Sequence, residues 1–399
     1  AELRELAIDA TAIPEDLHRP YVDTVKLRCS ECDGEMTREP FVMDCWFDSG
    51  CASFAQWHYP FEDNKKFEEN FPVDYICEGV DQTRGWFYSL LAVATAVFDS
   101  HCYRSCLSLG MILDREGKKM SKSRGNIVNP GDHFDREGVD AVRWYMVTAG
   151  APWAELRFDP QGLRETYARF FLTLWNTYRF HADYAALDDF DPSAEPPELV
   201  PLDSWALSRL AAVTEEYTAL FEQWRFHRAA RLLEEFLIDD VSNWYVRRSR
   251  RRLWTDAPTQ DKAACQHTLH MLLETVCRLM APIAPYLGDH IHHALTGSSV
   301  HLANWPEPGE RDSVLEEQMA LVRALAEAGR RVRAEAQRRQ RLPCRAGWII
   351  GGPDVTQFHD LLAEELNVES LEVESNLEKF QEIELRPNFK SLGAKVKGD

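Results

Sequence analysis

The chain has no run of eighteen or more apolar residues, which excludes a conventional membrane-spanning helix. It also lacks an initiator methionine and the basic-then-apolar layout of a signal peptide, opening instead Ala-Glu-Leu-Arg-Glu-Leu. A soluble, cytoplasmic chain is expected, and the polar, mid-domain character of the first residues predicts that a segment has been cut away upstream. Positive charge is scarce: 45 Lys and Arg against 65 Asp and Glu leave a formal charge of −20, whose mean field repels phosphate. Indiscriminate nucleic-acid binding is thereby disfavoured, and any RNA contact must come from local patches, Arg247 to Arg252 and Arg330 to Arg341. There is no internal repeat and no low-complexity tract. A disulfide framework is absent too, because the ten cysteines are scattered with one close pair, Cys29 and Cys32, and others such as Cys77, Cys106 and Cys277 sit in apolar sequence as reduced thiols do.

The remaining composition, 45% hydrophobic and 28% charged over 399 residues, supports two or three domains with substantial cores. Tyr75-Ile76-Cys77 and Met111-Ile112-Leu113 read as short buried strands, and Gly85 to Asp99 between them as a helix, the pattern of an α/β layer with a parallel sheet. From about Leu163 the periodicity becomes helical, with Tyr167, Phe170, Phe171, Leu174 and Tyr178 at spacings of three and four. A proline-rich break at Asp191 to Pro201 precedes helices over roughly 203–225, 226–254 and 260–296, the last kinked or ended by Pro282 and Pro285. A charged helix spans 313–341. After Pro343 a small α+β unit is expected: a strand at Trp348-Ile349-Ile350, a helix near 356–366 and a strand at Leu371 to Val373. The terminal Lys395-Val396-Lys397-Gly398-Asp399 offers no closing element. The fold class is therefore α/β followed by all-α.

Chemistry concentrates in Lys119-Met120-Ser121-Lys122-Ser123, preceded by the strand-like Gly110 to Asp114 and the turn residue Gly117, and followed by Arg124-Gly125-Asn126. Two lysines on such a loop suit transfer of a nucleotidyl group, because ammonium groups neutralise the charge that moves onto a leaving pyrophosphate. Upstream, Cys77-Glu78-Gly79-Val80-Asp81-Gln82-Thr83-Arg84-Gly85-Trp86-Phe87 places a glycine and three polar side chains just after a strand, where parallel sheets take their ligands. A third stretch is Asp44-Cys45-Trp46-Phe47-Asp48-Ser49-Gly50, a turn between Cys45 and Cys51, which are expected to be packed. Cys29-Ser30-Glu31-Cys32 has the spacing of half a tetrahedral zinc knuckle. The Asp289-His290-Ile291-His292-His293 run reads as solvated or capping histidines. Leu233, Leu237, Val241 and Trp244 form a core stripe, with Arg248, Arg251 and Arg252 on another face; ion pairing to the abundant carboxylates and contact with phosphate both remain open for these arginines.

The Lys119 to Ser123 loop resembles the second signature loop of class I aminoacyl-tRNA synthetases, and the 77–87 and 44–50 segments resemble those of the isoleucine enzymes of that class. The resemblance is specific over 41–130, looser over 131–305, where Ser242-Asn243-Trp244-Tyr245-Val246-Arg247 is similar to an anticodon-domain helix, and weak beyond about 310. It implies four regions: residues 1–40, the end of a connective insertion; 41–162, the second half of a Rossmann-like catalytic domain; 163–305, a helical anticodon-binding domain; and 306–399, a junction helix with part of an α+β domain. The implied roles are Lys119 and Lys122 in catalysis, and Glu78, Gly79, Asp81, Gln82, Lys122 and Ser123 around ATP and the adenylate. Trp46 and Trp86 would wall the amino-acid pocket, Arg247, Arg248, Arg251 and Arg252 would contact tRNA, and Cys29 and Cys32 would hold zinc with ligands from elsewhere. The implied cofactors are ATP with Mg²⁺ and, in the intact protein, Zn²⁺. The implied partners are tRNA(Ile) and isoleucine, with no membrane and a monomeric whole protein. Neither an editing domain nor the His-x-Gly-His first signature is present, so the chain is expected to be a fragment unable to make adenylate alone. Leu109 stands where many bacterial members carry histidine. The rival readings are a valine or leucine enzyme of the same class, or a non-catalytic tRNA-binding paralogue.

Overall fold

The computed structural model describes residues 2–374 apart from Asp33, Val42, Pro196 and 351–354, with the side chains of Glu2 and Thr356 also left aside. The expectation for the chain end at 395–399 lies outside these residues. The chain divides into a unit running to Val128 together with Gly150–Asp159, and a second of Asn129–Ala149 with Pro160 onward.

In the first unit a short helix, Glu2–Leu6, and two 3₁₀ turns precede a hairpin of β1 (Lys26–Arg28) and antiparallel β2 (Glu35–Thr37). Next comes α1 (Cys45–Gly50), where a turn was expected: the Asp44 carboxylate accepts the Trp46 N–H at 3.0 Å and so caps a short helix. Cys45 is exposed rather than packed, and Cys51 is half-buried. β3 (Val73–Gly79), α2 (Trp86–Phe98) and β4 (Tyr103–Leu109) then form a parallel β-α-β unit. Helix α2 agrees with the expected span, but its return strand does not. β4 pairs with β3, whereas β5 (Ile112–Leu113) pairs in parallel with β6 (Leu156–Arg157). Arg104, Ser105 and Ser108 deprive β4 of the continuous apolar run that marks a buried parallel strand, which is why periodicity passed over it. Ile76, Phe87, Leu90, Ala94 and Cys102 make the core of this layer, while Cys106 is exposed.

The second unit is helical. It comprises α3 (Val139–Thr148), a helical stretch Pro160–Phe171 leading into α4 (Leu172–Leu187), α5 (Pro201–Glu222), α6 (Phe226–Glu235), a π-helical stretch Phe236–Val246 continuing into α7 (Arg247–Leu253), α8 (Gln260–Met280) and α9 (Pro285–Thr296). The prolines act as expected: α8 stops at Met280, and Pro285 occupies the first turn of α9, where its missing N–H costs nothing. Leu233, Leu237, Val241 and Trp244 are all buried. α10 (Ser313–Glu335) ends six residues before Arg341, because Gln337 takes a left-handed φ of 53° and the buried Arg333 guanidinium binds the carbonyls of Arg339 and Gln340. The chain then forms the expected small unit of β7 (Cys344–Ile350), α11 (His359–Leu366) and β8 (Val368–Glu374), its strands parallel. His292 is buried, its Nδ1 2.9 Å from the Ser298 carbonyl beyond the end of α9, so it caps rather than sits in solvent. No helix among the described residues is long and apolar enough to cross a membrane.

His181 on α4 is buried between Phe190 and His270, with ring centroids 5.7 and 5.8 Å away and Nδ1 without a partner. Burial, followed by the neighbouring His270, pushes its pKa down to about 3. An unfolded histidine binds its proton near 6.5, so between 6.5 and 3 the unfolded chain holds the extra proton and stability falls as pH is lowered. Below pH ~6 this group is expected to cost about 1.4 kcal/mol per pH unit. His181→Phe should flatten the decline in urea midpoint between pH 7 and pH 5; a variant with the wild-type slope would contradict the assignment.

Candidate active site

At the carboxyl end of β3 the chain passes through Glu78 and Gly79 into a 3₁₀ turn, Val80–Arg84. Gln82 organises this corner. Its Nε2 donates to Asp81 Oδ2 at 3.2 Å and its Oε1 accepts the Trp86 N–H at 3.0 Å, satisfying an N–H at the start of α2. Trp86 Nε1 donates to the Ser49 carbonyl at 3.0 Å, tying α2 to α1 across 37 residues of sequence. Helix α1 approaches closely because Gly50 has no side chain: a Cβ there would lie 2.9 Å from the Ser89 carbonyl oxygen. The Trp46 ring reaches Gly85, where a Cβ would stand 3.2 Å from it. Trp46 and Trp86 thus flank one corner. The Trp46 residue remains 42% exposed and Trp86 is half-buried, so both can still meet a ligand. Glu78 and Asp81 are exposed beside them, and Glu78 makes no ion pair among the described residues.

Leu109 pairs in register with Gly79 at the end of the β3–β4 ladder, so a half-buried aliphatic group stands where the resemblance has an imidazole. The next residue, Gly110, has no alternative. Its N–H donates to Pro152 O at 2.8 Å, and a Cβ would lie 2.0 Å from Ala154 O, inside backbone.

The lysine loop is pinned by two residues that sequence reasoning quoted without giving them a role. Asp114 accepts the N–H groups of Glu116 (3.0 Å) and Lys118 (2.8 Å) and the Asn126 Nδ2 (2.7 Å). These bonds, that to Asn126 foremost, hold its carboxyl below the usual range. Asn126 in turn accepts the Ser121 N–H at 2.9 Å and donates to the Lys119 carbonyl at 3.3 Å, bracketing the loop from behind. The only sequence signal was a pair of turn-forming residues at the loop's two ends. Lys118 pairs with Glu116 at 2.6 Å, whereas Lys119 and Lys122 are exposed and have no ion pair among the described residues. In a chain with twenty surplus carboxylates, two unpaired ammonium groups on a pinned loop are positioned for an external anion. Ser123 lies between them and the next turn, its Oγ 3.3 Å from Ser121 Oγ.

Cys29 and Cys32 sit at the tip of the β1–β2 hairpin, where the Cys29 N–H donates to Gly34 O at 3.0 Å. The Glu31 N–H at 3.4 Å from Cys29 Sγ, then the Cys32 N–H and thiol, lower the Cys29 pKa. This favours the thiolate that a metal takes. Two thiols do not complete a zinc site, however, and among the described residues no group of three His, Cys, Asp or Glu could hold a metal.

The four arginines assigned to RNA separate. Arg252 makes a bidentate pair with fully buried Asp203 at 2.7 Å through each Nη, and its Nε lies 2.8 Å from Asp261. It is a structural residue, which removes it as a candidate for contact with tRNA phosphate. Arg247 and Arg248 meet Glu365 at 2.7 and 3.0 Å. The Arg251 side chain stays 80% exposed.

A parallel β-α-β layer with a signature lysine loop in one unit, and a helical bundle in the other, define the class. Residues 2–159 match the tRNA synthetases of class I (I, L, M and V), and residues 203–347 match the anticodon-binding domain of tRNA ligases. The chain belongs to the class I aminoacyl-tRNA synthetases. It is similar to the isoleucine–tRNA ligase of Clostridium novyi, 42% identical over 98% of this chain and 39% of that protein. It is likewise similar to isoleucine–tRNA ligase 2 of Bacillus cereus, 42% identical over 99% of this chain and 39% of that protein. The chain therefore spans about two-fifths of the length of these relatives. In fold it resembles the LeuRS of an Agrobacterium radiobacter LeuRS–tRNA complex (TM-score 0.56, 21% identity, 73% of this chain and 36% of that one). It also resembles the Mycobacterium tuberculosis methionyl-tRNA synthetase bound to methionyl-adenylate (TM-score 0.55, 19% identity, 65% of this chain and 54% of that one).

Proposed function

We propose that this chain serves the ATP-dependent attachment of isoleucine to tRNA(Ile) through isoleucyl-adenylate. The observation that carries the reading is the pinned loop whose Lys119 and Lys122 make no ion pair among the described residues, in a chain 42% identical to isoleucine–tRNA ligases.

The isoleucine carboxylate attacks the α-phosphate of ATP, pyrophosphate leaves, and a ribose hydroxyl of the tRNA then takes the aminoacyl group and releases AMP. No nucleophile from the protein is needed; its work is positioning and charge stabilisation. In this reading Lys119 and Lys122 neutralise the charge arriving on pyrophosphate, and Ser123 donates to the phosphates. Glu78, Gly79, Asp81 and Gln82 hold the amino group and adenylate at the strand end, with Gly79 admitting the ligand close to backbone. Trp46 and Trp86 receive the isoleucine side chain. Mg²⁺, when bound to ATP, shields the phosphate charge. Arg251, the most open of the arginines assigned to RNA, contacts tRNA phosphate, with Arg247 and Arg248 beside it.

The same reading places residues 1–40 at the end of a connective insertion, 41–162 in the catalytic domain, 163–305 in the anticodon-binding domain and 306–399 in a junction region, within a cytoplasmic, monomeric protein. The deciding measurement is amino-acid-dependent ATP–pyrophosphate exchange by the full-length protein. Exchange is expected with isoleucine; exchange driven only by valine or leucine would move the assignment to another enzyme of the class.

A further inference from the structure

The last turn of α11 carries Glu364 and Glu365, two carboxylates at the helix end where the backbone carbonyls already present negative charge. That placement is unfavourable unless cations answer it, and here they do. Glu365, its side chain 2% exposed, takes Arg247 Nη2 at 2.7 Å, Arg248 Nη1 at 3.0 Å and Arg330 Nη1 at 2.5 Å on its two oxygens. Glu364, 53% exposed, binds Arg248 Nη2 and lies 3.7 Å from Arg251 Nη1. One singly charged group gathering three guanidiniums through two oxygens is the arrangement a phosphodiester makes with an arginine cluster. The cations also exceed the anions. Arg247, Arg248, Arg251 and Arg330 meet two glutamates, a local positive surplus in a chain of charge −20. Arg251 remains 80% exposed and Arg250 is exposed without an ion pair among the described residues, so the surface extends beyond its acidic cover.

We propose that this arginine face is a phosphodiester-binding surface for RNA and that the acidic end of α11 occupies it as a displaceable phosphate mimic, so that tRNA and α11 compete for the same guanidiniums. The proposal rests on the tRNA reading above. RNA engages Arg250 and Arg251 first, and full contact with Arg247, Arg248 and Arg330 follows only as Glu364 and Glu365 withdraw.

The test is fluorescence anisotropy of a labelled tRNA(Ile) transcript with this chain at two salt concentrations, comparing wild type with Glu364→Gln and with Glu364→Gln/Glu365→Gln. The double variant is expected to bind about tenfold tighter, and its log–log salt slope to steepen by about 1.5 as two further phosphates are neutralised. Glu364→Gln leaves the buried Glu365 contacts in place, so it decides the matter should the double variant fail to fold; a two- to threefold gain is expected. Unchanged or weakened binding in Glu364→Gln would overturn the proposal, since the carboxylates would then be holding α11 in place and masking nothing. Absence of tRNA binding by wild type and variants alike would also overturn it, while leaving the functional reading intact if isoleucine-dependent exchange is observed. Loss of that exchange in the full-length protein would instead sink the reading itself.

Discussion

Lys122→Ala in the full-length protein is expected to slow isoleucyl-adenylate formation by about 10²- to 10³-fold, the range for removing one preorganised group aimed at developing charge. Affinity for tRNA should stay within about twofold, because in the proposed reading the lysine acts on the leaving pyrophosphate and not on the RNA. The structure supplies an internal control. Lys118, four residues earlier, is held by Glu116 at 2.6 Å, while Lys122 has no ion pair among the described residues. Lys118→Ala is therefore expected to change the rate by less than about threefold, since a paired exposed lysine contributes little. Pyrophosphate exchange measures the first effect and tRNA anisotropy the second. Equal losses in both lysine variants would show that the loop needs net charge only, and unchanged exchange in Lys122→Ala would remove the loop from the chemistry.

The second large effect is on stability. Asp203 is fully buried, and its two oxygens receive both Nη atoms of Arg252 at 2.7 Å and the Tyr245 hydroxyl at 2.6 Å. Those partners come from α7 and the π-helical stretch before it, so one carboxylate joins α5 to the long helix that carries the arginines. Removing it leaves a largely buried guanidinium with only the part-exposed Asp261, 2.8 Å from Nε, as counter-charge. Asp203→Ala is expected to cost about 3–5 kcal/mol in chemical unfolding of the helical unit, the usual penalty for orphaning a buried charge. Tyr245→Phe, which removes a single hydrogen bond, should cost only about 1 kcal/mol. A loss below about 1 kcal/mol for Asp203→Ala would mean that Arg252 reaches water or Asp261 readily, and would return it to the set of arginines available to RNA.

The helices were legible because their evidence is local. The stripe at Leu233, Leu237, Val241 and Trp244 repeats within one segment, and Pro285 marks a helix start wherever it stands. The same holds for the apolar Trp348-Ile349-Ile350 of β7 and for Leu371 and Val373 of β8. β4 was missed because its place is fixed by pairing with β3, thirty residues earlier, while its own sequence mixes arginine and serine with apolar residues. Helix α1 was taken for a turn because its capping aspartate was weighed as part of a motif and not as a helix start.

For the candidate site, the residues proposed to bind and activate the substrates were readable: the two lysines, the glycine at the strand end and the two tryptophans sit in ordered segments whose spacing is itself the signal. Their supports were not. Asn126 and Asp114 bracket the loop through bonds between residues twelve apart, and Gly110 is required by the backbone of 152–155, which nothing near it in sequence announces.

The arginines draw the line most clearly. Sequence alone determined that a cationic cluster lies at 247–252 in an acidic chain, and that it shares a helix with a buried apolar stripe. Which of those arginines is spent inside the protein was decided only by tertiary structure, because the answer depends on carboxylates 49 residues before Arg252 and 117 residues after Arg248 in the chain. Periodicity reports which face of a helix is apolar; the charge that meets the other face is set by packing at long range.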